Sequence, residues 1–243
     1  MKNESLITIK SLNKEFLIGK FNTFYFFENL NKNSPKKFAL KNINLKINKG
    51  ERVGIIGKNG SGKSTLLKII CRITYPTSGM IEVKGKVTSI LEAASGFHKE
   101  LNGFENIFLN GSILGMKRYE LESKVDDIIN FSGLNKNELR NPLKRFSSGE
   151  LIRLGFSIIM HLNSEILILD EMLAVSDKDF EKKSIGLIKD QIKYENKTLL
   201  FVSHQLHQIK ELCNRCIIIN DGEIIKDGNN VDEIIDTYNK RYS

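Results

Sequence analysis

The chain has few cysteines, with three in 243 residues. Its one Cys-x-x-Cys pair, Cys213 and Cys216, has no second pair that could complete a zinc site. The pair falls where a helical pattern ends and an apolar strand pattern begins, which favours buried thiols over a metal or redox centre. A low, odd cysteine count is typical of a reducing compartment.

Long apolar runs are also missing. No run approaches the ~18–20 residues that a helix needs to cross a bilayer. The N-terminus lacks the apolar core of a signal peptide. We therefore expect a soluble chain, so that any membrane-spanning part of its function is supplied by another subunit.

Blocks of like charge are absent as well, although the net charge is +8. A basic balance permits an anionic partner, such as a nucleotide, a nucleic acid or a membrane surface. Here the lysines are spread along the chain, without runs of about five or six. This pattern favours a solvated surface over a nucleic-acid groove.

One stretch carries a complete phosphate-binding motif. Residues 57–64 fit G-x-x-x-x-G-K-[ST], between an apolar strand pattern and an apolar helical pattern. Glycines let the backbone approach a ligand, and N–H groups at a helix N-terminus attract anions. We predict that Lys63 reaches the β- and γ-phosphates and that Ser64 binds Mg²⁺. The predicted nucleotide-binding residues here are Gly57, Lys58, Asn59, Gly60, Ser61, Gly62, Lys63, Ser64 and Thr65.

The apolar patterns predict an α/β layout. Residues 166–169, 198–202 and 216–220 are short and almost continuously apolar, as in parallel strands buried on both faces. Residues 6–9 and 40–47 are predicted strands, with a long loop or insertion over 17–37. Residues 80–83 and 87–91 flank Gly85 and predict a hairpin. Helical periodicity dominates residues 100–163, which interrupt the core.

The buried strand 166–169 runs directly into Asp170 and Glu171. A parallel strand delivers such residues to the carboxyl edge of the sheet. We expect Asp170 to help hold Mg²⁺ beside the phosphate loop and Glu171 to face the attacking water. Two acidic residues at a strand end are common by chance, and it is the upstream phosphate loop that favours this interpretation.

Residues 146–150 read Phe-Ser-Ser-Gly-Glu. Ser147 and Glu150 have the spacing of a capping box, and an amphipathic helical pattern follows them. A capped helix N-terminus with a glycine and serine hydroxyls is also a phosphate site. The structural and functional interpretations are therefore compatible.

In this order, the motifs resemble those of the nucleotide-binding subunits of ABC transporters. Residues 146–150 are similar to that family's L-S-G-G-Q, with Phe, Ser148 and Glu150 as departures. Residues 174–177 match the position of the D-loop, which ends at Asp177, and His204 follows a strand as the switch histidine does. The resemblance covers residues 7 to about 229. It implies nucleotide contacts from Ser147, Ser148, Gly149, Glu150 and Asp177, and an adenine-stacking aromatic at Phe16, with Phe38 as its rival.

The resemblance implies a P-loop NTPase fold of the ABC type, with a mainly parallel central sheet, an antiparallel β-subdomain and a helical subdomain. Residues 1–91 and 164–243 would form the core, and 92–163 a helical lobe that docks on an integral membrane permease. ATP and Mg²⁺ would be the cofactors, and Lys63, Glu171 and His204 the catalytic residues. Two copies of the chain would sandwich two ATP molecules.

Three segments resemble one branch of the family, the ATPase subunits that export bacterial surface polysaccharides. They are residues 170–177, 146–149 and 96–106, the last similar to G-F-H-P-E-L-T-G-R-E-N. The implied cargo is a lipid-linked O-antigen, capsule or teichoic acid, moved through the permease from the cytoplasmic face of the membrane. Because the sequence stops soon after its last helical pattern, we expect no C-terminal carbohydrate-binding domain.

One departure affects the expected metal site. Most ABC ATPases carry a Mg²⁺-binding glutamine after residue 91, where this chain has Glu92 as the nearest substitute. Two alternatives remain open at this stage: another transported cargo (lipid, peptide or drug), or a soluble ABC ATPase acting on nucleic acid. Sustained heptads and a second cassette, which such soluble proteins carry, are absent from the sequence. We therefore expect no nucleic-acid partner.

Overall fold

A computed structural model describes residues 4–17, 36–90, 96–170 and 178–242. Its strands are β1 (Ser5–Leu17), β2 (Lys36–Asn48), β3 (Arg52–Ile56), β4 (Ser78–Val83), β5 (Val87–Ser89), β6 (Ile166–Asp170), β7 (Thr198–Val202), β8 (Arg215–Asn220) and β9 (Glu223–Gly228). Its α-helices are α1 (Lys63–Ile70), α2 (Gly103–Ile113), α3 (Arg118–Ser132), α4 (Ser148–Met160), α5 (Lys178–Glu195), α6 (Leu206–Leu212) and α7 (Val231–Tyr242).

The chain divides into two compact units. The first comprises Met1–Asn48, Val53–Lys84 and Asn214–Ser243, and the second Lys49–Arg52 and Gly85–Cys213. The first unit contains an antiparallel sheet in the order β2-β1-β4. Its alternating pattern buries one face, as the period-2 spacing of Ile43, Leu45 and Ile47 predicts. Both predicted strands exist and are longer than predicted, because β1 and β2 continue pairing through Phe16 and Lys37.

The first unit also holds β3, which pairs in parallel with β8, and β8 in turn pairs antiparallel with β9. Asp221 and Gly222 connect β8 to β9, both with positive φ, at 47° and 83°. A two-residue hairpin turn needs this left-handed geometry because it matches the twist of the strands. The Asp-Gly pair therefore forms the turn that its composition indicates.

The second unit contains the parallel strands β5, β6 and β7. The central residues of β6 and β7 are buried, which agrees with their continuous apolar pattern. Helices α3, α4 and α5 meet in an aromatic cluster of Phe131, Phe156 and Phe180, whose ring centroids lie 5.6–6.1 Å apart. This cluster gives the helices of the unit a common apolar centre.

The predicted hairpin around Gly85 is wrong. Strand β4 pairs with β1 in the antiparallel sheet, whereas β5 pairs in parallel with β6. Lys86 explains the separation, because its carbonyl accepts hydrogen bonds from the backbone N–H groups of Glu165 and Ile166. Periodicity identified two strands and a turn, but the partner of each strand is set by contacts far away in sequence.

A buried asparagine organises the start of the helical segment. Asn106 on α2 is fully buried, and its side-chain oxygen accepts the backbone N–H of His98 at 2.8 Å. Its amide nitrogen donates to the carbonyls of His98, Leu101 and Asn102 at 2.9–3.0 Å. Asn102 and Glu105 add a reciprocal capping box at the helix N-terminus. One side chain therefore holds the backbone of three residues in the segment that leads into α2.

We predict that Asn106→Ala lowers the free energy of unfolding by about 2–4 kcal/mol, because it removes four side-chain hydrogen bonds and leaves the backbone N–H of His98 without its acceptor. A urea titration of the purified chain measures this. The matched control is Asn130→Ala, an exposed helical asparagine on α3, which should change stability by less than about 0.5 kcal/mol. Equal losses in the two variants would contradict the assigned role.

Candidate functional site

The phosphate loop leaves the end of β3, where Ile56 pairs with Ile218 of β8. Two of its glycines are required by geometry. A Cβ on Gly57 would lie 2.1 Å from the carbonyl oxygen of Ile219. Gly62 has φ 112°, and a Cβ there would lie 2.5 Å from the carbonyl oxygen of Ala39. Only glycine fits these two positions, because the loop packs directly against neighbouring backbone.

Lys63 begins α1, directly after the loop. Its ammonium group donates to the carbonyls of Gly57 at 2.8 Å and Lys58 at 3.0 Å, and the residue is only 5% exposed. The curve of the loop therefore encloses a positive charge beside the N-terminus of a helix. That combination attracts an anion whose charge is spread over several oxygens, such as a polyphosphate.

The remaining loop residues have two kinds of surroundings. Lys58, Asn59, Gly60 and Ser64 are exposed, and Thr65 is half-buried. A Cβ on Gly60 would meet no described atom within 4 Å, so this side of the loop is open.

Ser61, like Lys63, is a buried residue of the loop. It is 4% exposed, and its hydroxyl oxygen has no hydrogen-bond partner in the described part of the chain. A hydroxyl at this place in an anion-binding loop has the chemistry to donate to a phosphate oxygen.

Helix α7 reaches the same loop. The ring of Tyr242 lies under the ammonium group of Lys58, 4.8 Å from nitrogen to ring centroid. The ring of Tyr238 is 5.0 Å from that of Tyr242. This cation–π contact joins the first unit's last helix to its phosphate loop.

In the second unit, two predicted site residues share one sheet edge. Strands β6 and β7 are parallel, and their register pairs Asp170 with Val202. His204 follows Val202 by two residues and is exposed. The carboxylate and the imidazole thus belong to adjacent strand ends, as the buried-strand pattern predicts.

Three further predicted residues, Glu171, Asp177 and Glu92, lie outside the described residues.

The turn that carries His204 is held by polar groups that the sequence analysis missed. The Ser203 hydroxyl accepts the backbone N–H of Gln205 at 3.0 Å and donates to the side-chain oxygen of Gln208, also at 3.0 Å. The amide of Gln208 donates in turn to Glu181 on α5. Ser203 and Gln208 are buried. A serine directly after a strand and three residues before a helix was the available signal, since serine favours such a turn.

The N-terminus of α4 confirms the predicted capping box. The Ser147 hydroxyl accepts the backbone N–H of Glu150 at 3.3 Å, and the Glu150 carboxylate accepts the backbone N–H of Ser147 at 2.7 Å. The same hydroxyl donates to Glu150 at 2.7 Å. These hydrogen bonds from Ser147 hold the pKa of Glu150 below its usual value. Ser148 and Gly149 begin the helix, and a Cβ on Gly149 would meet no described atom within 4 Å.

The two candidate adenine-stacking aromatics are equally exposed, Phe16 by 46% and Phe38 by 45%. Phe16 pairs with Lys37 and Phe38 with Glu15, so the pleat directs the two rings to opposite faces of the β1–β2 pair. The ammonium group of Lys14 lies 4.9 Å from the centroid of the Phe16 ring. Only one of the two aromatics can therefore face a given ligand.

The two cysteines of the Cys-x-x-Cys pair lie in the protein interior. Cys213 and Cys216 are both buried, as predicted, and burial raises the pKa of the Cys216 thiol to about 12. Within the described ranges, no group of three or more His, Cys, Asp or Glu residues is placed to hold a metal. No helix in these ranges is long and apolar enough to cross a membrane.

Comparison with known proteins identifies the family. The ABC transporter family model matches residues 40–174, more than half of the chain. The chain is 44% identical over 190 residues to the O-antigen export system ATP-binding protein RfbB of Myxococcus xanthus, covering 78% of this chain and 43% of that protein. It is 40% identical to RfbB of Klebsiella pneumoniae, covering 84% and 81% of the two chains. It is 44% identical to the teichoic acids export ATP-binding protein TagH of Lactococcus lactis, covering 86% of this chain and 44% of that protein.

The matched region is less than half the length of the Myxococcus and Lactococcus relatives. Among solved structures, the dimeric ATP-binding cassette MJ0796 bound to ADP and Pi has a TM-score of 0.75 at 22% identity, covering 92% of this chain and 98% of that one. This likeness confirms the predicted α/β cassette fold. The family match and the relatives confirm the resemblance read from the motifs: the chain belongs to the ABC transporter family, as an ATP-binding cassette.

Proposed function

We propose that this chain is the ATP-hydrolysing subunit of an exporter that moves a lipid-linked surface polysaccharide across the cytoplasmic membrane. The observation that carries this proposal is the similarity to two groups of relatives, at 40–44% identity. One group is named for O-antigen export and the other for teichoic acid export. Both names refer to export of a bacterial surface glycan. The branch-like segment 96–106 supports the same cargo, and its last residue, Asn106, has a defined structural role here.

Nucleotide binding follows from the first unit. The amides of the glycine loop and the ammonium group of Lys63 would bind the β- and γ-phosphates. In this conformation Lys63 donates to two loop carbonyls, so phosphate oxygens would replace those acceptors when ATP binds. The unpaired hydroxyl of Ser61 has the chemistry to donate to the same ligand.

The residues assigned to Mg²⁺ suit that ion. The hydroxyl of Ser64 and the carboxylate of Asp170 are hard oxygen ligands, and Mg²⁺ in nucleotide sites takes few protein ligands beside phosphate oxygens. When bound, the ion would neutralise charge that develops on the transferred phosphoryl group. Glu92 stays a candidate for a further ligand.

Hydrolysis depends on the second unit. We assign Glu171 as the residue that polarises the attacking water, and His204 as a contact of the γ-phosphate. The Ser203–Gln208–Glu181 chain of hydrogen bonds would hold the turn of His204 in place. It would act as a positioning group, because none of its members needs to touch the nucleotide.

A second copy of the chain would complete the site. The N-terminus of α4, with Ser147, Ser148, Gly149 and Glu150, would face the γ-phosphate held by the partner copy, and Asp177 would lie at the same interface. The space in front of Gly149 leaves room for such a ligand. The helical lobe, residues 92–163, would dock on a membrane permease, which places the chain at the cytoplasmic face.

We predict that Glu171→Gln lowers kcat for ATP hydrolysis by about 100-fold or more while ATP affinity changes by less than about threefold, because the general base is lost and the phosphate contacts stay. Phosphate release and a nucleotide-binding titration measure the two quantities. Lys63→Ala should instead abolish binding. Glu122→Gln, on the surface of α3, is the control, and normal turnover by Glu171→Gln would refute the assignment.

Ser203→Ala should lower kcat about 5- to 10-fold with little change in KM, since one buried hydrogen bond that positions the His204 turn is lost. Ser203→Thr keeps the hydroxyl and should restore most of the rate. Steady-state kinetics of both variants, with the exposed Ser112→Ala as control, test this. A loss of stability with unchanged kcat would show that the network is merely structural.

The cargo is tested by co-purification with a candidate permease, followed by ATPase assays in lipid vesicles. Lipid-linked polysaccharide should raise the hydrolysis rate several-fold, because cargo engagement is coupled to cassette closure. The same lipid without its glycan is the control. Stimulation by an unrelated lipid, peptide or drug, with none by the glycan lipid, would assign the chain to another cargo.

A further inference from the structure

The last turn of α7 reaches the phosphate loop through an aromatic ring. The ammonium group of Lys58 lies 4.8 Å from the centroid of the Tyr242 ring. Lys58 follows Gly57 in the loop, whereas Tyr242 ends a helix that is far away along the sequence. Both residues belong to the first unit. This contact therefore attaches the loop to an element outside the phosphate-binding motif.

The backbone of Lys58 closes the curve of the same loop. Its carbonyl oxygen accepts the backbone N–H of Ser61 at 3.2 Å and the ammonium group of Lys63 at 3.0 Å. A carbonyl oxygen has two lone pairs, so both donors can be accepted together. The Lys58 side chain and this carbonyl belong to one residue. Restraint of the side chain at its charged end therefore also restrains the peptide on which the loop closes.

Helix α7 is itself held in place on the first unit. Ile234 and Ile235 in its first half are buried, and Lys226 of β9 donates to the hydroxyl of Thr237 at 3.0 Å. A helix advances 1.5 Å per residue, so the backbone of Tyr242 lies only about 7.5 Å further along the axis than that of Thr237. The docking of α7 on β9 thus determines where the tyrosine ring can lie.

The face of the Tyr242 ring, and not its hydroxyl, is what meets Lys58. The hydroxyl oxygen is buried and has no hydrogen-bond partner among the described residues, which leaves the ring as the interacting group. The ring of Tyr238 lies 5.0 Å away at an interplanar angle of 52° and packs beside it. A cation is attracted to the electron-rich face of such a ring. Phenylalanine at residue 242 would therefore keep the interaction, and an aliphatic side chain would lose it.

We propose that Tyr242 is a positioning residue for nucleotide binding, which acts through Lys58 and makes the affinity of the phosphate loop depend on the docking of α7. The inference rests on the proposed assignment of this loop to nucleotide phosphates. A loop that is ordered in advance loses less conformational freedom when its ligand binds. Because coupling between two binding equilibria is reciprocal, bound nucleotide also holds the last turn of α7 more tightly. A partner that displaces this turn lowers the affinity for nucleotide.

The first test is a calorimetric titration of the whole chain with MgADP, which probes the loop without hydrolysis. Tyr242→Leu should weaken ADP binding about two- to fivefold, the range expected when an exposed cation–π contact is lost. Tyr242→Phe retains the ring face and should bind ADP as the unaltered chain does.

Two controls separate this role from a general effect of removing a tyrosine. In the second unit, the ammonium group of Lys193 lies 5.0 Å from the centroid of the Tyr194 ring. Tyr194→Leu removes the same kind of contact away from the loop and should leave ADP affinity unchanged. In a Lys58→Gln background, which has its own lower affinity, adding Tyr242→Leu should change affinity by less than about 1.5-fold, because the cation is already absent.

The second test measures the reciprocal effect. Saturating MgADP should slow hydrogen exchange of the backbone amides of residues 239–242 by about the same two- to fivefold factor. The effect should be absent from Lys58→Gln saturated with MgADP. Packing of Tyr242 for stability alone would not make exchange in this turn depend on nucleotide.

Three outcomes would overturn the inference: unchanged ADP affinity in Tyr242→Leu, equal losses in Tyr242→Leu and Tyr242→Phe, or hydrogen exchange of the last turn that ADP does not slow. A chain that binds no ADP at all would overturn the proposed nucleotide site and this inference with it. Thermal unfolding midpoints establish that each variant is folded. If Tyr242→Leu is not, the exchange measurement on the unaltered chain still decides.

Discussion

The parallel pairing of β6 with β7 is the constraint on which the candidate chemistry of the second unit depends. It sets Asp170 against Val202, so the carboxylate and the turn that carries His204 emerge at the same edge. Both strands are apolar and buried, and a slip by one residue would turn their buried side chains to the opposite face. Packing of the core thereby fixes the position of polar groups that contribute little to that packing.

Helix α4 illustrates how one element connects functional and structural demands. Its first turn is closed by Ser147 and Glu150, in a geometry that any amphipathic helix could use, yet the same turn presents the glycine and hydroxyls expected at a γ-phosphate. Its C-terminal end, from Met160 to Leu162, is held by Lys124 on α3, Gln191 on α5 and Lys197 just before β7. An α-helix transmits displacement along its axis with little deformation. Restraint at one end therefore affects where the other end can lie.

The shape of the phosphate loop is set by backbone contacts rather than by side-chain packing. Gly57 and Gly62 lie against the carbonyls of Ile219 and Ala39, too close for any Cβ. Lys63 is enclosed by the loop's own carbonyls. The loop is thus pre-shaped for a polyanion, which reduces the ordering required when a nucleotide binds.

The sequence by itself determined the features whose bonds close within a few residues. The phosphate loop, the Ser147–Glu150 cap and the Asp221–Gly222 turn are local, so residue type and spacing identify them. The tertiary structure alone decided which strand β5 joins, why Asn106 is needed, how Ser203 is tied to Gln208 and Glu181, and where Gln191 meets the end of α4. The partners of β5 and of Gln191 are distant along the chain. The contacts of Asn106 and Ser203 are closer in sequence, but many polar side chains could make contacts of that kind. Their partners are chosen by the packing of whole elements, which a linear pattern does not encode.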